Sequence, residues 1–218
     1  MNSKEFAEDF YKEKLSLLKM YFDESSNSEV TQLIKDLNLD VLGRERIHQV
    51  INGVLSDSLY TILLGLDGAA KIGDNQTDYK LLNENNQEIT DGEIESFAWE
   101  YFHNNKYHIE NSEYDFIAHL EYNNNSEGRS TPVFSGYRPQ VKFEFDEMQT
   151  SGMQKFIERE VVFPGDKVTA EIRIIGVDYF AGKLEEGMNF EFREVSRVIG
   201  KGKILSIINE KLRKKTSR

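Results

Sequence analysis

Val168-Thr169-Ala170-Glu171-Ile172-Arg173-Ile174 is the stretch that decides the fold. Apolar side chains occupy every second position from Val168, and polar or charged ones stand between. That is the period of a strand with one face on a core and the other in water. Val141-Lys142-Phe143-Glu144-Phe145 and Met188-Asn189-Phe190-Glu191-Phe192-Arg193 repeat the pattern. Several one-sided strands must share one core, as in a closed antiparallel barrel or a sandwich. The three prolines, at 132, 139 and 164, all fall in this half of the chain beside turn chemistry. In Pro164-Gly165-Asp166 the proline sets the second position of a turn and the glycine accepts positive φ at the third, so a type II turn is predicted there with a strand starting at Lys167.

Upstream of Tyr114 the period changes from 2 to about 3.6, which places a domain boundary near Asn104-Asn105-Lys106. Residues 4–22 carry Phe6, Phe10, Leu15, Leu18, Met20 and Phe22 near helical spacing, with Ser3 as the expected N-cap. A short helix is expected over Glu29–Leu37. A longer one starts near Leu42, its broad apolar stripe made of Ile47, Val50, Ile51, Val54, Leu55, Leu59, Ile62 and Leu63. Gly65-Leu66-Asp67-Gly68 should stop it. Tyr79–Leu82 and Gln87–Ile89 flank the amide-rich Asn83-Glu84-Asn85-Asn86 and read as a small hairpin. Thr90-Asp91-Gly92-Glu93 then caps a last helix with Ile94, Phe97, Ala98, Tyr101 and Phe102 on one face. Trp99 and its aromatic neighbours read as core rather than as a base-stacking platform.

The fold class expected is therefore α+β, with an acidic, mainly helical module over 1–106, a β domain over 107–208 and a basic tail over 209–218. Net charge is −11, and its distribution is uneven. Residues 1–106 hold ten Lys and Arg against twenty Asp and Glu; residues 107–218 hold seventeen against eighteen. Within 209–218, Lys211, Arg213, Lys214, Lys215 and Arg218 face only Glu210, a plausible electrostatic handle for RNA or an acidic partner as well as a solvated terminus. No run approaches the roughly 18 apolar residues of a membrane helix, and the opening Met1-Asn2-Ser3-Lys4-Glu5 has no apolar signal region, so a cytoplasmic protein is expected. Cysteine is absent, which excludes disulfides, thiolate nucleophiles and Cys-based zinc sites.

Four segments of the second half carry a resemblance. They are Gly128-Arg129-Ser130-Thr131-Pro132-Val133-Phe134-Ser135-Gly136-Tyr137-Arg138-Pro139-Gln140, Val162-Phe163-Pro164-Gly165-Asp166, Leu184 to Glu194, and Gly200-Lys201-Gly202. In this order and spacing they resemble the third, C-terminal domain of translation elongation factor Tu. The resemblance implies a small closed antiparallel β-barrel. In that family the barrel helps to hold the T-arm of aminoacyl-tRNA and touches the nucleotide-exchange factor and the GTPase domain. Carried over by position, Arg129, Gln140 and Glu194 are retained as RNA or partner contacts, and Arg138 is a further candidate. The family's histidine is replaced by Ser130, and its paired glycines by Val195 and Ser196. A β-branched valine hinders the close backbone approach that glycine permits.

Other chemistry is sparse. No Gly-x-x-x-x-Gly-Lys-Ser/Thr loop occurs, so GTP hydrolysis is not expected. His103 and His108 stand five apart and could recruit Glu100 or Glu110, but packing histidines are the commoner outcome, and no metal or other cofactor is expected. His48 reads as a partly buried structural residue. No glycine-flanked nucleophile turn supports a hydrolytic triad. Gly65-Leu66-Asp67-Gly68 lacks the alternating acids of a calcium loop. Two expectations remain. One is a non-enzymatic binding protein linked to translation, whose barrel engages RNA, the ribosome or a translation factor. The other is an interaction or inhibitory protein, of immunity type, that uses the barrel as a decoy of elongation factor Tu.

Overall fold

The computed structural model describes residues 1–124, 126 and 128–215, and the chain divides into two compact units, Met1–Glu110 and Asn111–Arg218. In the first unit, α1 (Ser3–Phe22), α2 (Glu29–Asp36), α3 (Val41–Leu66), α4 (Ile94–His103) and α5 (Lys106–Asn111) follow in order. The cap of α1 is Asn2 rather than Ser3. Its side chain accepts from the Glu5 N–H while the Glu5 carboxylate accepts from the Asn2 N–H, a complete capping box. Ser3 is instead buried and donates its hydroxyl to Asp91 at 2.7 Å. α1 and α3 run antiparallel: Phe22 meets His48 at one end, and Phe6 and Phe10 pack near Leu63 at the other. Asp67, just past α3, accepts from the N–H groups of Gly92 and Glu95, doing for α4 what its own N-cap side chain does not.

Three expectations for this unit are corrected. Residues 79–90 turn back at Asn83–Asn86 as expected but build no regular strands: one antiparallel bridge, Leu82 to Glu88, is flanked only by the bonds from Ile89 N to Leu81 O and from Asn83 N to Gln87 O. The Asn83 side chain accepts from Asn85 and Gln87, and the Thr90 hydroxyl accepts from Leu81 and donates to Tyr79, so side chains take backbone groups a ladder would need. The proposed linker is a tight corner: Asn104 closes α4, and Asn105, at φ 55°, turns the chain straight into α5. Trp99 is 51% exposed, because Ile94, Ala98 and Tyr101 take the inner face of α4.

The second unit is a closed barrel of six antiparallel strands in the order β1-β6-β4-β3-β7-β8, with β8 returning to β1. The strands are β1 (Phe116–Tyr122), β3 (Gln140–Phe143), β4 (Gln149–Phe156), β6 (Lys167–Ile174), β7 (Asn189–Glu194) and β8 (Arg197–Ile207). β2 (Val133–Phe134) and β5 (Val161–Val162) form a separate two-stranded ribbon, and a short α6 (Val177–Phe180) precedes β7. The helical module followed by a barrel is the α+β class read from the alternation. Phe116, Ala118, Leu120, Val141, Phe143, Ala170, Ile172, Phe190 and Phe192 fill the interior. Opposite Phe190 and Phe192 stand Gly202 and Gly200, where any Cβ would collide with the rings, so these two glycines make room for the aromatic layer. Gly165 has φ 87°, and the Asp166 N–H bonds Phe163 O at 3.0 Å, closing the turn before β6.

Glu171 departs from the alternation. It occupies an outward register position yet is 2% exposed, its carboxylate 2.8 Å from Lys155 on the neighbouring β4. The larger correction concerns the C-terminus. Leu212 is fully buried in the barrel core, and residues 211–214 pair in parallel with 182–184 through Gly182 N to Lys211 O, Leu184 N to Leu212 O and Lys214 N to Leu184 O. Buried Asp115 anchors the segment: its carbonyl accepts from Ile208 and Asn209, and its carboxylate accepts from the Ile174 N–H and the Asn209 amide.

Candidate functional site

One end of the barrel carries a polar cluster built from three non-adjacent segments. Gly136, at φ 94°, closes a turn in which the Tyr137 N–H bonds Phe134 O, and the Tyr137–Gln154 bridge then ties this segment to β4. Tyr137 is thereby aimed at Glu194, the last residue of β7, and its hydroxyl donates to Oε1 at 2.7 Å. Arg129 completes the cluster. Its guanidinium donates to the same Glu194 oxygen and to Thr131 Oγ1 at 3.0 Å, and it lies 5.1 Å from the centre of the Tyr137 ring. Burial pushes the Tyr137 hydroxyl above its ordinary pKa, with Arg129 pulling the other way. Behind it, Tyr122 donates to Gln154 inside the barrel, and burial raises the Tyr122 pKa as well.

Next to Glu194 the β7–β8 hairpin turns at Val195, which is 84% exposed and holds φ 56°. Among the described residues, three of the five non-glycine positions with positive φ are asparagines, which tolerate that region; a β-branched side chain does not. The cost is about 1–2 kcal/mol for an L-residue in the left-handed well. Val195 thus holds a backbone shape that suits glycine while adding an exposed apolar side chain at the rim.

The sequence-derived candidates do not form one surface. Arg129 and Glu194 neutralise each other. Arg138 is exposed, without an ion-pair partner among the described residues, and Gln140 is exposed at the start of β3 opposite Arg193. The basic residues near the C-terminus lie at the other end of the barrel, beside the segment that enters β7 at Asn189, whereas Glu194 ends that strand. Six residues of strand separate them, roughly 20 Å. They are also no free cationic arm. Lys211 pairs with Asp178, Arg213 with Glu186 and Glu210, and Lys214 with Glu185. The Lys211 hydrogen bond holds the Asp178 carboxyl below its ordinary range. Lys215 is exposed, and Arg218 lies outside the described residues.

No family model matches the chain. The site must therefore be read from its own geometry. Among the described residues no cluster of three or more His, Asp or Glu is placed to hold a metal ion, and no helix is long and apolar enough to cross a membrane. His103 packs against Trp99 and Tyr60, while His108 lies 3.3 Å from the Tyr11 hydroxyl; Glu100 and Glu110 pair with Lys106 and Lys4. Two rim residues were missed from sequence. Tyr137 sits inside a quoted motif but reads as turn chemistry, and Thr131 gives no signal until Arg129 is seen to reach it.

Proposed function

We propose that this chain is a non-enzymatic binding protein linked to translation, and that its barrel presents a rim resembling that of elongation factor Tu to a protein partner of that factor. The observation that carries this reading is the pairing of Arg129 with Glu194. A guanidinium already satisfied by a carboxylate, a threonine and an aromatic face has to break those contacts before it can neutralise a phosphate. The basic residues at the opposite end are likewise occupied by acids, and the charge of residues 107–218 sums to −1. Nucleic-acid affinity rests on net phosphate neutralisation, and little free positive charge is offered for it. Val195, exposed and apolar beside the cluster, suits a protein contact better than a sugar-phosphate backbone.

The RNA reading keeps one favourable observation, the exposed Arg138, without an ion-pair partner among the described residues, two residues before exposed Gln140. One experiment separates the two. The purified chain is titrated against the purified nucleotide-exchange factor of elongation factor Tu, and against bulk tRNA over a range of salt. Saturable binding to the protein that is weakened by Val195→Asp, with no tRNA binding at low salt, supports the proposal. Binding to tRNA alone, weakened by Arg138→Ala and falling steeply with salt, transfers the function to RNA. Binding to neither removes this account of the barrel.

A further inference from the structure

Helix α3 carries more apolar surface than its own unit covers. Leu63 and Glu45 are buried on the side facing α1 and α4, yet Val50 and Val54 are each 59% exposed and Ile62 is 40% exposed. At 100° per residue, Ile47, Ile51, Val54, Ser58 and Ile62 fall within a sector about 80° wide, with Val50 beside it. Their spacing of four, three, four and four residues keeps them on one helix face, as in a helix-packing seam. It lies away from the α1 contact.

We propose that this seam is the contact between two copies of the chain, packed antiparallel through α3 about a two-fold axis passing between Asn52 and Gly53. The self-complementarity is specific. About that axis Ile51 of one copy faces Val54 of the other, and Ile47 faces the small Ser58, so bulk meets space at the ends and matched side chains meet at the centre. Arg46 and Asp57 flank the seam on the same side, both exposed and without an ion-pair partner among the described residues. In an antiparallel pair each Arg46 comes beside the other copy's Asp57, giving two ion pairs by symmetry. A parallel pair puts the two copies' Arg46 and Asp57 flanks on opposite sides of the seam, so neither ion pair forms. Net charge points to the same helix. Residues 1–106 sum to −10, which opposes self-association over most of the unit, but α3 holds Arg44 and Arg46 against Glu45 and Asp57 and is neutral.

The test is sedimentation of the full chain between about 1 and about 300 μM, the range in which a modest helix-pair interface equilibrates. A reversible monomer–dimer equilibrium is expected. Val54→Glu, at an exposed position that does not touch the fold, buries an unpaired charge in the contact and raises the dissociation constant about 100-fold. Arg46→Asp weakens the dimer, and Arg46→Asp with Asp57→Arg restores it. The chain has no cysteine, so single cysteines report the geometry. Val54→Cys forms an interchain disulfide on mild oxidation. Ile62→Cys does not, because the two residues 62 stand about 28 Å apart along the helices. A monomer across the whole range, a dimer indifferent to Val54→Glu, or cross-linking at 62 as efficient as at 54 overturns the proposal.

Discussion

Leu212→Ala is the substitution that best separates a structural C-terminus from a basic tail. Leu212 is fully buried in the barrel core, and its neighbours in sequence hold backbone bonds to Gly182 and Leu184. Truncating a fully buried leucine removes its transfer free energy and leaves a cavity, together about 2–5 kcal/mol. With a urea m-value of about 2 kcal/mol/M, the midpoint should drop by roughly 1–2.5 M. Lys214→Ala removes a charge from the same segment but only a half-exposed pair with Glu185, worth at most about 1 kcal/mol. The assay is urea unfolding of the full chain by circular dichroism, accompanied by amide exchange at Gly182 and Leu184, which should lose protection in Leu212→Ala alone. If the two variants unfold within about 0.3 M of each other, less than the gap of roughly 0.5 M or more that these energies require, the segment is not part of the barrel.

Further outcomes follow from the barrel's geometry. Gly202→Ala drives a Cβ into the Phe190 ring and should cost about 1–3 kcal/mol in thermal unfolding; an unchanged melting temperature would refute the clash. Val195→Gly relieves about 1–2 kcal/mol of left-handed strain against a backbone-entropy loss of about 0.5–1 kcal/mol, so a slight rise in melting temperature is expected and a fall contradicts the strain. The hydrogen bond from Lys167, and then that from Lys201, lowers the Glu121 pKa below its ordinary 4.5. A carboxyl depressed on folding contributes stability above its unfolded pKa and loses it as pH falls through the folded one. Wild type should thus exceed Glu121→Gln in melting temperature at neutral pH, and the gap should close on acidification below 4.5.

The barrel was legible because alternation is local: Val168 to Ile174 announces one buried face whatever the neighbouring strands do. Glu171 escaped because its burial depends on Lys155, a residue of another strand. The same non-locality hid the C-terminal segment. Lys211, Arg213 and Lys214 look like a cationic tail until Asp178, Glu185 and Glu186 are brought beside them, and one leucine among lysines gives no period to read. Trp99 could have been placed correctly, since it stands one residue past Ala98 and off the line from Ile94 through Ala98 to Tyr101. The α3 stripe was read as a single core face, yet it is wide enough for two contacts, and only the half that includes Leu59 and Leu63 turns toward α1 and α4. At the rim, the motif order located Arg129 and Glu194, but motif order cannot tell that they bind each other.

That pairing leads to the measurement that most directly tests the central claim, the affinity of the chain for bulk tRNA as a function of salt. A rim whose arginine is occupied should give no tRNA binding at low ionic strength, alongside saturable binding to the exchange factor. Tight tRNA binding with a log–log salt slope of about −0.9 for each phosphate neutralised, lost on Arg129→Ala, would contradict the account.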